Sequence, residues 1–207
     1  MKIKVYIAWS GETSKEVASI LKSWLPLMNS HIEAFVSATD VPMGAAWRDN
    51  LLQTIVACDC AIFCCTQDNI SSPWLCFEAG QMSAAEKHLY FMMFDTLPVQ
   101  IKTPTPLRMF PFFTFEKEGL RSVAYDLNRL CGKWQIPPET FDPMFDGLYP
   151  TVKKMLAQVR DSRKERSQEN QSAQNDEDLK RDFATVNSKL DIILSRLKPY
   201  PRQENSL

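Results

Sequence analysis

The chain has 207 residues, 44% of them hydrophobic, and a formal net charge of −1, enough for one ordinary domain plus an appendage. Near-neutral charge without a clustered basic face excludes the electrostatic footprint of a nucleic-acid binder. The apolar run at residues 3–7 is too short for a signal peptide and no segment approaches membrane-spanning length, so a soluble, cytoplasmic protein without membrane contact is expected.

Residues 3–9 form a β-rich run that ends in the turn Ser10-Gly11-Glu12-Thr13. Thr13 and Glu16 have capping-box spacing. Val17, Ile20, Leu21, Trp24 and Leu25 then recur at helical spacing, with a stop expected at Pro26 or shortly after it. Residues 31–37 read as the second strand, followed by the loop Ala38-Thr39-Asp40-Val41-Pro42-Met43-Gly44. Trp47, Leu51, Leu52, Ile55 and Val56 mark a second helix, and residues 60–66 a third strand. Ser72 reads as an N-cap and Pro73 as the first residue of a helix over 73–87. Residues 89–94 are a wholly apolar fourth strand. Beyond Asp95, Pro98, Pro104, Pro106 and Pro111 break up a loop that ends in a short strand over 112–115. A helix over 117–134, with Leu120, Val123, Ala124, Leu127 and Leu130 or Cys131 facing inward, closes the domain near Gln135.

The tail differs in kind. Phe145, Leu148, Val152, Met155 and Val159 make an apolar stripe within 136–164, read as a helix on or beside the domain. Residues 165–177 read as a polar linker or a charged helix surface. Within 178–198, Leu179, Phe183, Val186, Leu190, Ile193 and Leu197 recur at spacings of four, three, four, three and four, a heptad seam. That seam suits a coiled coil or an amphipathic helix folded back on its own domain, and 199–207 are expected to be disordered. Of the six cysteines, Cys58, Cys60, Cys64 and Cys65 surround one buried strand, where thiols behave as small hydrophobes. With only His31 and His88 there is no zinc-type spacing, so reduced thiols and no metal are expected.

Strands alternating with helices predict an α/β fold with a parallel sheet covered on both faces. Right-handed crossovers place the loops after the first three strands along one edge. Trp9-Ser10-Gly11-Glu12, the loop Asp40 to Gly44, and the pair Trp74 and Glu78 therefore converge on one cleft. Trp74 and Glu78 are four residues apart and share a helical face. An indole beside a carboxylate suits a flat cation or a sugar. The plainer alternative is one core residue beside one solvated residue.

These residues resemble the Toll/interleukin-1 receptor (TIR) domain family. Tyr6-Ile7-Ala8-Trp9-Ser10-Gly11-Glu12 is similar to the first-strand box of its bacterial and plant members. Asp40-Val41-Pro42-Met43-Gly44 resembles the loop after their second strand, with Asp40, Pro42 and Gly44 its marked positions. The run 66–78, with Ser72-Pro73-Trp74 and then Glu78, resembles the Trp-x-x-x-Glu signature of NAD-cleaving TIR domains. The resemblance spans residues 1–135 and leaves the tail outside. It implies a flavodoxin-like, five-stranded parallel sheet, here followed by a C-terminal helical extension.

The resemblance implies one of two functions. The first is an NAD⁺ glycohydrolase or ADP-ribosyl cyclase that takes NAD⁺ as substrate, needs no cofactor, and serves bacterial antiphage immunity by NAD depletion or signal-nucleotide synthesis. The second is a non-catalytic scaffold that signals through TIR–TIR self-association. In the first, Glu78 takes the catalytic position, Trp74 walls the ribose–nicotinamide end, and Trp9, Ser10 and Trp47 line the same pocket. Many plant and animal members carry an arginine where this chain has Ser10, and Arg48 is the candidate substitute, its plainer alternative being a solvent-facing helix residue. Nicotinamide leaves from a cationic ring and needs no general acid, so one fixed carboxylate suffices to stabilise an oxocarbenium-like ribose. Glu78→Ala or Glu78→Gln is then expected to abolish nicotinamide release with stability nearly intact. Expected partners are further copies of the chain, engaged through the domain and the tail helix, and a separate sensor or effector protein.

Overall fold

The computed structural model describes residues 2–36, 53–102 and 104–196, with backbone alone beyond residue 168. The elements run β1 (Ile3–Ala8), α1 (Glu12–Met28), β2 (Ile32–Val36), α2 (described over 53–57), β3 (Cys60–Cys65), α3 (Pro73–Ala84), β4 (His88–Met93), β5 (Phe112–Thr114), α4 (Lys117–Leu130) and α5 (Pro138–Arg196). Asp40, Pro42, Gly44, Trp47, Arg48, Leu51, Leu52 and the end 199–207 lie outside the described residues.

The five strands form one parallel sheet in the order β2-β1-β3-β4-β5: the parallel sheet expected from the alternation, in the flavodoxin-like order that the resemblance implies. Burial explains the order. All six residues of β3 are buried, as befits a strand covered on both faces. β2 and β5, with partly exposed residues, take the edges. On one face the sheet packs against α1, α4 and the first part of α5, through Val17, Leu21, Trp24, Leu120, Leu127, Phe141 and Phe145. On the other it packs against α2 and α3, through Ile55, Leu75, Ala79 and Met82.

Several boundaries differ from the sequence reading, each for a local reason. α1 starts at Glu12 with Gly11 as N-cap, two residues before the Thr13 cap of the expected capping box. Gly11 has φ +86°, a conformation that glycine adopts without Cβ strain. Ser14 supplies the polar closure instead: its Oγ accepts from the Ser10 N–H at 3.0 Å and donates to the Ser10 carbonyl at 2.6 Å. The helix tolerates Pro26 in its last turn and ends two residues later, at Met28. α4 ends at Leu130 because Gly132, at φ +58°, breaks the path into a separate 3₁₀ turn, Gly132–Trp134. Val56, expected on the packed face of α2, is exposed.

The chain divides into two units, Met1–Asp161 and Ser162–Leu207. The first outlasts the expected end near Gln135, because Phe141, Phe145, Val152, Leu156 and Val159 of α5 are buried in the same core as α1 and α4. Within the expected stripe, Met155 is exposed and Leu156 takes the inward position. Residues 165–177 lie within the helix α5. The residues that carry the heptad seam, Leu179 to Ile193, also lie in α5.

Candidate functional site

In an open parallel sheet, ligands collect beyond the carboxyl ends of the strands where the strand order reverses. Here that point lies between β1 and β3, the two strands whose following connections leave in opposite directions. The loops leaving them, Trp9 to Gly11 and Thr66 to Ser72, are tied together by polar side chains. Asn69 is the knot: its Nδ2 donates to the Ser10 carbonyl at 2.9 Å and to the Cys64 carbonyl at 3.0 Å, while its Oδ1 accepts from the Thr66 N–H at 2.7 Å. With Asn69 only 5% exposed, all three of these bonds are sheltered from water, where losing one leaves a buried group unsatisfied.

Ser72 is the N-cap of α3 and Pro73 its first residue, as the sequence indicates. The Ser72 hydroxyl makes no cap bond, however; it donates to Ser10 Oγ at 3.1 Å. The start of α3 is thereby joined to the end of β1, and Ser10 is placed at the switch point.

Trp74 and Glu78 do not share one environment. Trp74 is half-buried, and its ring lies 5.7 Å from that of Phe77, which is exposed. Glu78 is 0% exposed, and its Oε1 accepts from the Tyr6 hydroxyl at 2.6 Å. The plainer sequence alternative, a core indole beside a solvated carboxylate, is inverted: the carboxylate is in the core and the indole at its border. Trp9, also half-buried, has the Lys15 ammonium 5.6 Å from its ring centre.

Tyr6 and Asn69 are the site residues that sequence reasoning missed; Ser72 is the expected N-cap, with its hydroxyl turned to Ser10 instead of to the helix end. Tyr6 read as one more residue of an apolar strand, although its hydroxyl is the only side-chain polar group within 5–8. Asn69 carries no assignment in the sequence; it also supplies the turn chemistry that follows β3. Nothing in the local pattern announces that either reaches across the sheet edge.

Tyr6 also lines a cavity of about 180 Å³ with Lys4, Phe35, Thr54 and Cys58. That is below the roughly 300–1,000 Å³ of ligand clefts, so this cavity alone holds no dinucleotide. Burial pushes the Cys58 thiol up to about 11, with Asp59 adding to the shift, and burial also raises Cys60, Cys64 and Cys65. These thiols are free and protonated at neutral pH, which suits packing groups rather than nucleophiles. Among the described residues no group of three His, Cys, Asp or Glu side chains is placed to hold a metal ion, and no helix is long and apolar enough to cross a membrane.

No curated protein matches the chain. Among solved structures it is similar to the TIR domains in the structure of the activated Roq1 resistosome directly recognizing the pathogen effector XopQ, at 13% identity and a TM-score of 0.41, covering 78% of this chain and 99% of that one. The family model described as TIR domain matches residues 5–129, from β1 through nearly all of α4. That span is more than half of the sequence and contains all of the sheet but the first two residues of β1, together with the switch point and Glu78: the chain belongs to the TIR domain family.

Proposed function

We propose that this TIR domain cleaves the nicotinamide–ribose bond of NAD⁺, with Glu78 as the carboxylate that stabilises the reacting ribose. The observation that carries the reading is the placement of Glu78. It follows Trp74 in the Trp-x-x-x-Glu pattern on α3 and lies enclosed, bonded to β1, beside the switch point. An enclosed carboxylate is the form in which a charge acts most strongly, since water does not screen it.

In the proposed step the C1′–N bond of the ribose breaks, and its electron pair neutralises the pyridinium as nicotinamide departs. The ribose is left as an oxocarbenium-like cation. A carboxylate about 4 Å away stabilises such a cation by about 4 kcal/mol at an effective dielectric of 20, about a thousandfold in rate. Water then adds at C1′ and loses a proton to give ADP-ribose, or a nucleophile of the same molecule closes a cyclic product. Ser10 and Ser72, with hydroxyls at the switch point, and the half-buried Trp74 and Trp9 are the proposed contacts to the ribose and nicotinamide. Trp47, Arg48 and the loop with Asp40, Pro42 and Gly44 are proposed to complete the pocket. Incubation with NAD⁺ followed by mass spectrometry tests the reading and separates ADP-ribose, cyclic isomers and conjugates; intact NAD⁺ after prolonged incubation at high protein concentration refutes it.

A second reading, a scaffold that works by self-association, is favoured by a different observation. Met109, 79% exposed, lines with Cys76, Ala79, Leu107 and Phe110 an apolar hollow of about 360 Å³ between α3 and the segment 106–110, a contiguous surface of the kind that marks a protein contact. The two readings combine if association opens the enclosed site to substrate. A role in antiphage immunity, by NAD depletion or a signal nucleotide, and engagement of a separate sensor or effector rest on the family resemblance. Protection of cells against phage, lost in Glu78→Gln, is the corresponding test.

A further inference from the structure

We infer that Tyr6 is a positioning residue for Glu78: its phenol fixes where the carboxylate points, and so sets the rate of bond cleavage. The inference rests on the proposal that Glu78 supports cleavage of NAD⁺. A glutamate side chain turns about three torsions and, on a helix, has no intrinsic reason to hold its carboxyl in one place. In this structure an outside group holds it. The Tyr6 hydroxyl donates to Glu78 Oε1 at 2.6 Å across a sequence separation of 72 residues. That length lies in the range of hydrogen bonds from a hydroxyl to a charged oxygen, the stronger class.

Tyr6 is itself held by the sheet. In the parallel ladders its Cα stands opposite Phe35 of β2 and Ala61 of β3, so both edges of its strand are paired. Its side chain is fully enclosed, in the cluster that holds Phe63, Leu75, Ala79 and Met82. The donor therefore belongs to the sheet and the acceptor to α3, and the bond gives the carboxylate the rigidity of the sheet beside the switch point. A reacting group is held to productive geometry in this way when its support sits on a regular element. Tyr6 keeps its proton throughout and touches no substrate; it acts only through Glu78.

The test uses the full chain and steady-state release of nicotinamide from NAD⁺. Tyr6→Phe removes one oxygen and keeps the ring, and is expected to lower kcat about ten- to a hundredfold, the order of loss when a reacting group is misplaced by up to about 1 Å, while KM stays within about twofold. In a Glu78→Gln background the same change adds no further loss, because the phenol acts through the carboxylate. Glu78→Asp keeps the charge, draws it back from the phenol by one methylene, and is expected to lose kcat comparably; it carries the test should Tyr6→Phe not fold. A kcat unchanged in Tyr6→Phe, a loss confined to KM, or a wild-type kcat in Glu78→Asp overturns the positioning role. Wild-type protein that releases no nicotinamide overturns the cleavage reading and this role with it. Active wild type with an indifferent Tyr6→Phe overturns the positioning role alone.

Discussion

Glu78 occupies a helix position where a glutamate ordinarily meets water, yet it is wholly enclosed and bonded to a tyrosine on β1. This corrects the expectation that any neutral replacement leaves stability nearly intact. Glu78→Gln keeps an oxygen that accepts from Tyr6, so its unfolding midpoint is expected close to that of the wild type. Glu78→Ala strands the phenol and opens a void, at a cost of about 1–3 kcal/mol, or roughly 2–12 °C in midpoint for a chain of this size. Thermal unfolding of the two variants side by side checks the difference; equal midpoints contradict it. Trp74 and Glu78 were legible in the sequence because helix-start chemistry and four-residue spacing are local. The partners of the site were not. Asn69 bonds Ser10 59 residues away and Tyr6 bonds Glu78 72 residues away, and such contacts exist only after the sheet has formed.

Among the elements, the strands and helices were legible because each carries its own periodicity, and the boundaries were less so. The start of α1 is set by a glycine in the left-handed region and by a serine that reaches back, both weaker signals than the capping-box spacing they displace. Packing between elements gives a sharper prediction. Gly119, in the first turn of α4, lies so close to β5 that a Cβ there meets the Thr114 carbonyl oxygen. Gly119→Ala forces α4 and β5 apart and is expected to cost about 1–3 kcal/mol, as overpacking does, measured by chemical denaturation. A second prediction concerns α5, tied to α4 by Lys117–Asp146 at 2.9 Å and Arg121–Asp142 at 2.7 Å. The hydrogen bond from Lys117 holds the Asp146 carboxyl below its usual value. Its folded value is thus the lower one, so its contribution is present above the ordinary carboxylate range and is lost as pH falls through the lowered value. Both side chains are about half exposed, so the effect is small. Asp146→Asn is expected to change stability little in acid and to lose a small increment at neutral pH, read from unfolding midpoints against pH.

At the scale of the whole molecule, the sheet order puts one switch point between β1 and β3, and Glu78 is bonded to Tyr6 on β1, one of those two strands. The extent of the first unit was harder to read. The apolar stripe of α5 looks alike whether it packs on its own domain or on another copy, and only the burial of Phe141, Phe145, Val152 and Leu156 decides for the former. Because that unit ends at Asp161, a chain truncated after residue 164 is expected to fold with the core intact. If the heptad-bearing part of α5 drives assembly, light scattering finds fewer copies per particle for the truncated chain than for the full one. An unchanged number of copies counts against a role for the tail.

The central claim is that an enclosed carboxylate on α3 breaks the nicotinamide–ribose bond. Its most direct test is nicotinamide release from NAD⁺ by concentrated full-length protein, with wild type and Glu78→Gln compared at matched unfolding midpoints. The account predicts release by the wild type and a loss of about a thousandfold or more in the variant, in line with the rate worth of the charge removed. Equal release by both proteins, or none by the wild type, contradicts it.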